Sequence, residues 1–432
     1  MARSLLEATQ DISQETISID RGGREAETQL MIAPASKTEA YLGGDALRAL
    51  AGDDFDRDVW SVLGLPIDLA AAPDAVVAIE AAARDRRRLS FVTPNVNFLA
   101  RALRESEARR QIIDADLSLI DGALLVVLGR LIGVPIVERC AGSDVFEALR
   151  RRPGFAGRRL RVFFFGGRDG SAAAASAAVD IEGRGIESAG FFNPGAGDLA
   201  SMSTDAVIDR INAAGADFVL VALGAAKGQA WIDQNSARLT APIIAHLGAV
   251  IDFAAGAIVR APLFLRRWGL EWAWRIKEDP ALWRRYLRDA AALGAIIVQR
   301  VAPLMLTRSK PTGARATADL QYIGGRQILA FGGDLVAGSS IDAVRVAFRS
   351  VAREGSDIIV DLKRVTAIGP AFLGLLLMLE KALRASNASI SISGASRAQR
   401  RIFRAHGMPY AHVASADRGE QAARIAASRQ SA

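Results

Sequence analysis

Between residues 60 and 250 the chain alternates short apolar runs with alanine-rich helical stretches, and this alternation restricts the fold more than any other feature. Strand-like runs fall at 88–93, 134–138, 160–166, 186–191, 217–223 and 242–248, with helical segments at 96–112, 171–183, 201–214 and 229–240 among them. Strands that read as continuous apolar runs are covered on both faces, and intervening helices supply the crossovers. The pattern predicts an α/β fold with a doubly wound, mostly parallel, Rossmann-like sheet. Such sheets bind ligands beyond the carboxyl ends of their strands, so the loops after the strands are where site residues are sought.

Organisation along the chain follows from breaks in that pattern. Residues 1–50 show little periodicity and read as a poorly ordered leader, and 51–307 carry the main domain. The first 35 residues lack the apolar stretch of a signal peptide, so export is not expected. The run RSKPTGARATADL marks a linker at 308–319. A smaller α/β unit at 320–416 follows, with strands at 326–331, 357–362 and 388–393 and helices at 339–352, 370–386 and 396–406, before a tail at 417–432. A chain of 432 residues is long enough for two or three such domains.

Composition excludes several classes. Half of the residues are hydrophobic and 23% are charged, which disordered chains are not. The single cysteine, Cys140, rules out a disulfide framework and fits a reducing compartment. Apolar stretches at 122–129 and 291–298 are cut short by Arg130 and by Gln299-Arg300, so a soluble or peripheral protein is expected. Residues 260–310 hold eleven Lys or Arg against four acids, a surplus of seven that equals the +7 of the whole chain. Four of the six tryptophans (Trp268, Trp272, Trp274, Trp283) lie in the same segment. Basic residues interleaved with tryptophan suit an anionic membrane surface, a nucleic acid, or a solvated helix with some buried rings.

Several loops carry candidate chemistry. Thr93-Pro94-Asn95 ends the first strand with a hydroxyl and an amide that serve equally in a turn or against a polar ligand. Asp121-Gly122, one βα unit later, reads as a helix cap or as a carboxylate brought beside Thr93. Asp114-Ala115-Asp116 has the spacing of a sugar-nucleotide metal motif but lies amid helical periodicity with no third ligand. Gly166-Gly167 opens a glycine loop between strand and helix, where backbone amides meet phosphate. Lys227 and Gln229 follow the 217–223 strand, and Gly248 and Asp252 follow the 242–248 strand. The three histidines (246, 406, 412) are scattered, and no metal cluster, cofactor motif or Ser-His-Asp order is found.

Taken together, residues from about 60 to 290 resemble the WecG/TagA/CpsF glycosyltransferases. The matching stretches are TPNVNFL, ADLSLIDG, RCAGSDVFEAL, VFFFGGRDG, DFVLVALGAAKGQAWI and the long run from LGAVIDFAAG through RAP, GLEW and EDP to RRYL. The resemblance implies inverting transfer of a sugar, such as N-acetylmannosamine, its uronate or a related hexose. The donor would be a UDP-sugar and the acceptor a polyprenyl-diphosphate-linked sugar, in cell-envelope or exopolysaccharide synthesis. By position it makes Asp121 the general base and puts Thr93, Asn95 and Gly122 beside the substrate. It also assigns ligand contacts to Gly166, Gly167, Lys227, Gln229 and Asp252. Arg260, Arg275 and Arg285, in the basic Trp-rich appendage at 260–307, would neutralise the leaving diphosphate. No metal or other cofactor is implied, and nucleic acid is not an expected partner. The expected place is the inner, cytoplasmic face of the cell membrane, against anionic lipid, with a homo-oligomer left open.

The resemblance departs at one loop. Where the family reads G-[AS]-P-K-Q-E, this chain reads Gly224-Ala225-Ala226-Lys227-Gly228-Gln229. The 320–416 unit resembles a STAS domain, through IIVDLKRVTAIGPAFLGLLLML. Phosphorylated members carry Asp-Ser where this chain has Gly369-Pro370, so the expectation is a docking module for an unknown protein partner. The alternative function is a non-catalytic regulatory or scaffold protein working through that unit.

Overall fold

The computed structural model describes residues 28–29, 53–257, 262, 271–278, 283–307, 311–323 and 326–413. Strand β1 (Thr28–Gln29) belongs to the second sheet, below. A hairpin follows, β2 (Val59–Val62) and β3 (Leu65–Asp68), and then α1 (Ala72–Arg84), β4 (Leu89–Val92), α2 (Val96–Ala102), α3 (Ser106–Ile113) and β5 (Leu117–Ser118). The chain continues through α4 (Ala123–Leu131), α5 (Gly142–Arg151), β6 (Leu160–Gly166), α6 (Ser171–Glu182) and β7 (Ile186–Phe192). Next come α7 (Asp205–Ala213), β8 (Phe218–Ala222), α8 (Ala225–Asn235), β9 (Ile243–His246) and α9 (Val250–Ala254).

These strands form a parallel six-stranded sheet in the order β5-β4-β9-β8-β6-β7. Helices α1, α5, α6 and α9 bury Val76, Phe146, Val179 and Ile251 on one face. On the other, α7 and α8 bury Ile211 and Trp231. Neighbouring strands β6 and β8 therefore send their chains to opposite faces, through α6 and α8. That divergence opens a crevice at their carboxyl ends, where doubly wound sheets bind ligand.

Two expectations of local structure change. Residues 134–138 form no strand; Val134 and Ile136 bond back to Gly129 and Val134 in tight turns. The edge strand is instead β5, whose two residues are too few to show periodicity. The helix expected at 96–112 breaks into α2 and α3, because Glu105 takes an extended conformation (φ −120°) before Ser106.

Beyond α9 come α10 (Glu271–Glu278) and α11 (Trp283–Ile296), which runs through a π-helical turn at Ile297–Val301 into α12 (Ala302–Thr307). The second unit is β10 (Thr317–Ile323), β11 (Arg326–Leu335), α13 (Ser339–Glu354), β12 (Ile358–Ile368), α14 (Pro370–Ala385), β13 (Ile390–Ser393), α15 (Arg397–Ala405) and β14 (Ala411–Val413). Its mixed sheet runs β1-β10-β11-β12-β13-β14, antiparallel only at β1, β10 and β11. The segment read as a linker is already a strand from Thr317, and Thr312 and Gly313 donate backbone N–H bonds of 2.7 Å to Asp334.

The two units share one core. Residues 371–379 of α14 are all buried, so this helix is covered all round. One side meets its own unit, with Phe372 against Phe331 of β11 and Phe348 of α13. The other meets the β2–β3 hairpin, so closely that a Cβ on Gly374 would lie 2.3 Å from the Val59 carbonyl oxygen. Arg57, 1% exposed, sits at the centre. It bonds Asp68 through Nε (3.0 Å) and Nη2 (2.7 Å), and its Nη1 reaches Asp54 (2.7 Å), the Ala115 carbonyl (3.1 Å) and Met378 Sδ (3.3 Å). The helix after Gly369-Pro370 packs against the chain's own hairpin.

Candidate active site

At the carboxyl end of β4, Pro94 fixes a turn and Asn95 caps α2, its Oδ1 accepting from the Asn97 (3.0 Å) and Phe98 (3.3 Å) amides. The turn reading of this tripeptide therefore holds, and the neighbours decide what else it does. The Asp121 amide donates to the Pro94 carbonyl at 2.9 Å, which draws the second loop against the first. Gly122, at φ +87°, comes so near that its absent Cβ would lie 3.6 Å from Asn95 Cβ. Thr93 is buried under the first turn of α5, where a Cβ on Gly142 would stand 3.3 Å from Thr93 Cγ2 and 2.6 Å from Leu247. Thr93, Asn95, Asp121 and Gly122 thus share one corner of the sheet edge.

Arg139, which sequence reasoning did not single out, joins that corner. Its Nη1 lies 4.0 Å from Asp121 Oδ1 and its Nη2 3.3 Å from Asp144. The RCAGSD stretch was the available signal, but only the fold brings an arginine from that loop to the carboxylate. Cys140 beside it is no nucleophile: burial, with Asp144 and Asp121 nearby, pushes its thiol far above the usual range.

The carboxyl ends of β6, β8 and β9 carry the second group. Gly166 and Gly167 have φ of +97° and +89°, and Cβ atoms there would meet the Ala222 oxygen at 2.6 Å and Ile251 at 2.9 Å, so only glycine fits. Asp252 secures this loop, accepting from the Arg168 amide at 3.1 Å. Lys227 Nζ donates to the Gly197 carbonyl at 2.6 Å. Gln229 is buried with Nε2 lacking a partner among the described residues, and so are both ring nitrogens of buried His246. Burial holds the His246 imidazole down at about 4, hence neutral at physiological pH. A Cβ on Gly228 would fall 2.1 Å from His246 Cδ2. The glycine at 228, one of the loop's departures from the family pattern, thus has a physical reason, since the imidazole fills the space a side chain there would need.

Asp114 and Asp116 lie elsewhere, before the amino end of β5, and both are ion-paired: Asp114 with Arg110 (2.8 Å) and Arg384 (2.5 Å), Asp116 with Lys381 (3.4 Å). They stand away from the carboxyl edge and hold the fold. Among the described residues no group of three acids, histidines or cysteines could hold a metal.

A model of the glycosyl transferase WecG/TagA/CpsF family matches residues 60–304, more than half of the chain. The chain belongs to this family. The second unit, residues 324–409, matches the Mlab STAS domain. Two relatives are named N-acetylglucosaminyldiphosphoundecaprenol N-acetyl-beta-D-mannosaminyltransferase. The one from Bacillus spizizenii is 31% identical over 214 residues, covering 49% of this chain and 80% of its own. The one from Bacillus subtilis is 27% identical over 200 residues, covering 46% and 74%. A solved GTP-binding protein of Sulfolobus solfataricus, at 10% identity and a TM-score of 0.14 over 60% of this chain and 94% of its own, bears no weight.

In this WecG/TagA/CpsF-type glycosyltransferase a described part of the appendage lies beside the candidate site. Helix α11 packs on α2, the helix that Asn95 caps. Arg260 lies outside the described residues; Arg275 and Arg285 fall on α10 and α11, with their side chains outside the described set. From Leu287 to Thr307 the helix is 21 residues long and, by length and composition alone, apolar enough to cross a membrane. That length exceeds what the interrupted apolar run suggested. Its inner face buries Ile296, Val301 and Leu304, and Arg300 bonds the Arg404 and Ala405 carbonyls at 3.0 Å. Its outer face leaves Leu287, Val298 and Leu306 exposed, and α4 beyond Gly122 likewise exposes Leu124, Val127 and Leu131.

Proposed function

We propose that this glycosyltransferase moves a sugar from a UDP donor to a polyprenyl-diphosphate-linked sugar, with inversion, on the inner face of the cell membrane. The observation that supports this reading is the backbone Asp121–Pro94 bond, which brings Asp121 beside Thr93 and Asn95 at the carboxyl edge of the sheet. Asp121 takes the proton of the acceptor hydroxyl as its oxygen bonds to the anomeric carbon and the bond to the diphosphate oxygen breaks. Arg139 orients that carboxylate. The donor lies in the β6–β8 crevice, against the amides of Gly166 and Gly167. The basic appendage, through Arg260, Arg275 and Arg285, neutralises the departing diphosphate.

The acceptor's lipid accounts for the exposed apolar residues of the 287–307 helix and of α4, and the cations among the tryptophans suit an anionic surface. The names of the two relatives support N-acetylmannosamine, or a close hexose, as the sugar and an envelope polysaccharide as the product. The test is release of UDP from a panel of UDP-sugars, with polyprenyl-diphosphate-sugar acceptors in vesicles. Acceptor-dependent release with at least one donor is expected. Absence of turnover across the panel would overturn the reading in favour of a non-catalytic scaffold.

A further inference from the structure

We propose that the STAS unit is a positioning element of the transferase, in which Glu380, Lys381 and Arg384 of α14 hold the α3–β5 segment so that it presents Asp121. The inference rests on Asp121 as the working carboxylate. Strand β5 has two residues and lies at the sheet edge, so it has little to fix its own register.

Its position is set from both ends. Upstream, Glu380 grips Arg109 with two bonds (2.7 and 2.9 Å), Arg384 meets Asp114 and Lys381 meets Asp116. Asp116 in turn binds the Ser90 amide at 2.7 Å, and the ladder continues with Leu119 to Val92 and Asp121 to Pro94, each 2.9 Å. From outside the edge, Asp68 accepts from the Ser118 amide at 2.7 Å, and Asp68 is held by Arg57, which also touches Met378 of α14. Two routes therefore lead from one STAS helix to the segment that ends in Asp121. The donor loops after β6 and β8 stand on other strands. The three α14 side chains are positioning residues, acting on the acceptor side of the site.

The test uses the full chain with Lys381→Met/Arg384→Met, and Lys381→Gln as a milder variant at a partly exposed pair. Hydrogen exchange at the Leu119 and Asp121 amides should accelerate about tenfold while Leu220 and Val221 in β8 keep their rates. Sugar transfer should lose about tenfold in kcat with donor KM changed less than about threefold. Arg109→Glu and Glu380→Arg should each impair transfer, and the exchanged pair should recover most of it. Unchanged exchange at Asp121, or acceleration spread equally over β8, overturns the proposal, as does an exchanged pair no better than the single variants. Exchange does not depend on the chemistry, so an active Asp121→Asn protein would sink the base assignment while leaving the exchange result to judge the positioning.

Discussion

Two polar regions of this molecule are built on opposite plans. In the seam between the units charge meets charge, fully buried at Arg57–Asp68 and partly exposed where Arg57 meets Asp54, Arg109 meets Glu380 and Arg384 meets Asp114. The atoms left over there, Arg109 Nε and Ser118 Oγ, belong to residues otherwise bonded. At the carboxyl edge of the main sheet, glycines clear space, and Gln229 and His246 keep buried nitrogens without partners among the described residues. An unmade buried hydrogen bond costs stability, so these edge nitrogens weigh against the fold where the seam's paired groups support it.

The sharpest attempt to break that contrast is Arg57→Leu. It strands Asp68 in the core and should cost about 3–5 kcal/mol in urea unfolding; a loss under about 1 kcal/mol would mean the seam is not a core. Next is Gly374→Val, which forces a side chain into the Val59 backbone and should cost about 1–3 kcal/mol by the same measurement.

A third test uses pH. Burial, with Arg300 nearby, pushes His406 in the seam down to about 3, and burial holds His246 at the edge at about 4. In the unfolded chain both titrate near 6.5, so the unfolded state takes up protons first as pH falls. Their stabilising effect is complete above that value and declines below it, by about 2 kcal/mol for each ring at pH 5. His406→Gln should remove its share of that decline, read from unfolding curves between pH 7 and 5; an unchanged slope would contradict the burial argument.

The smallest effect has the opposite sign. Gln229→Met removes a buried amide nitrogen that has no partner among the described residues, so stability should hold or rise by about 1 kcal/mol while transfer falls. A clear loss of stability would place Gln229 with the seam.

The sequence made one region far more legible than the other. Strand β6 coincides with its apolar run at 160–166, and the chain order of βα units was enough to bring Asp121 to Thr93. Periodicity reports local burial, and a parallel strand buried on both faces announces itself. It could not reveal β5, with two residues, nor refuse 134–138, which is apolar but unpaired. Nor could it show the seam, since Arg109 and Glu380 are 271 residues apart and each reads as an ordinary surface charge. In the sequence His246 is one of three scattered histidines, and only the fold shows that Gly228 makes room for its ring.

On the proposed reading the sheet edge carries the chemistry of transfer, while the seam packs the core and positions that edge, and Asp121→Asn tests this division most directly. The full chain should keep its thermal midpoint to within about 2 °C and lose at least about a hundredfold of acceptor-dependent UDP release. A variant that transfers sugar at the wild-type rate, or that unfolds as readily as Arg57→Leu, would contradict the account.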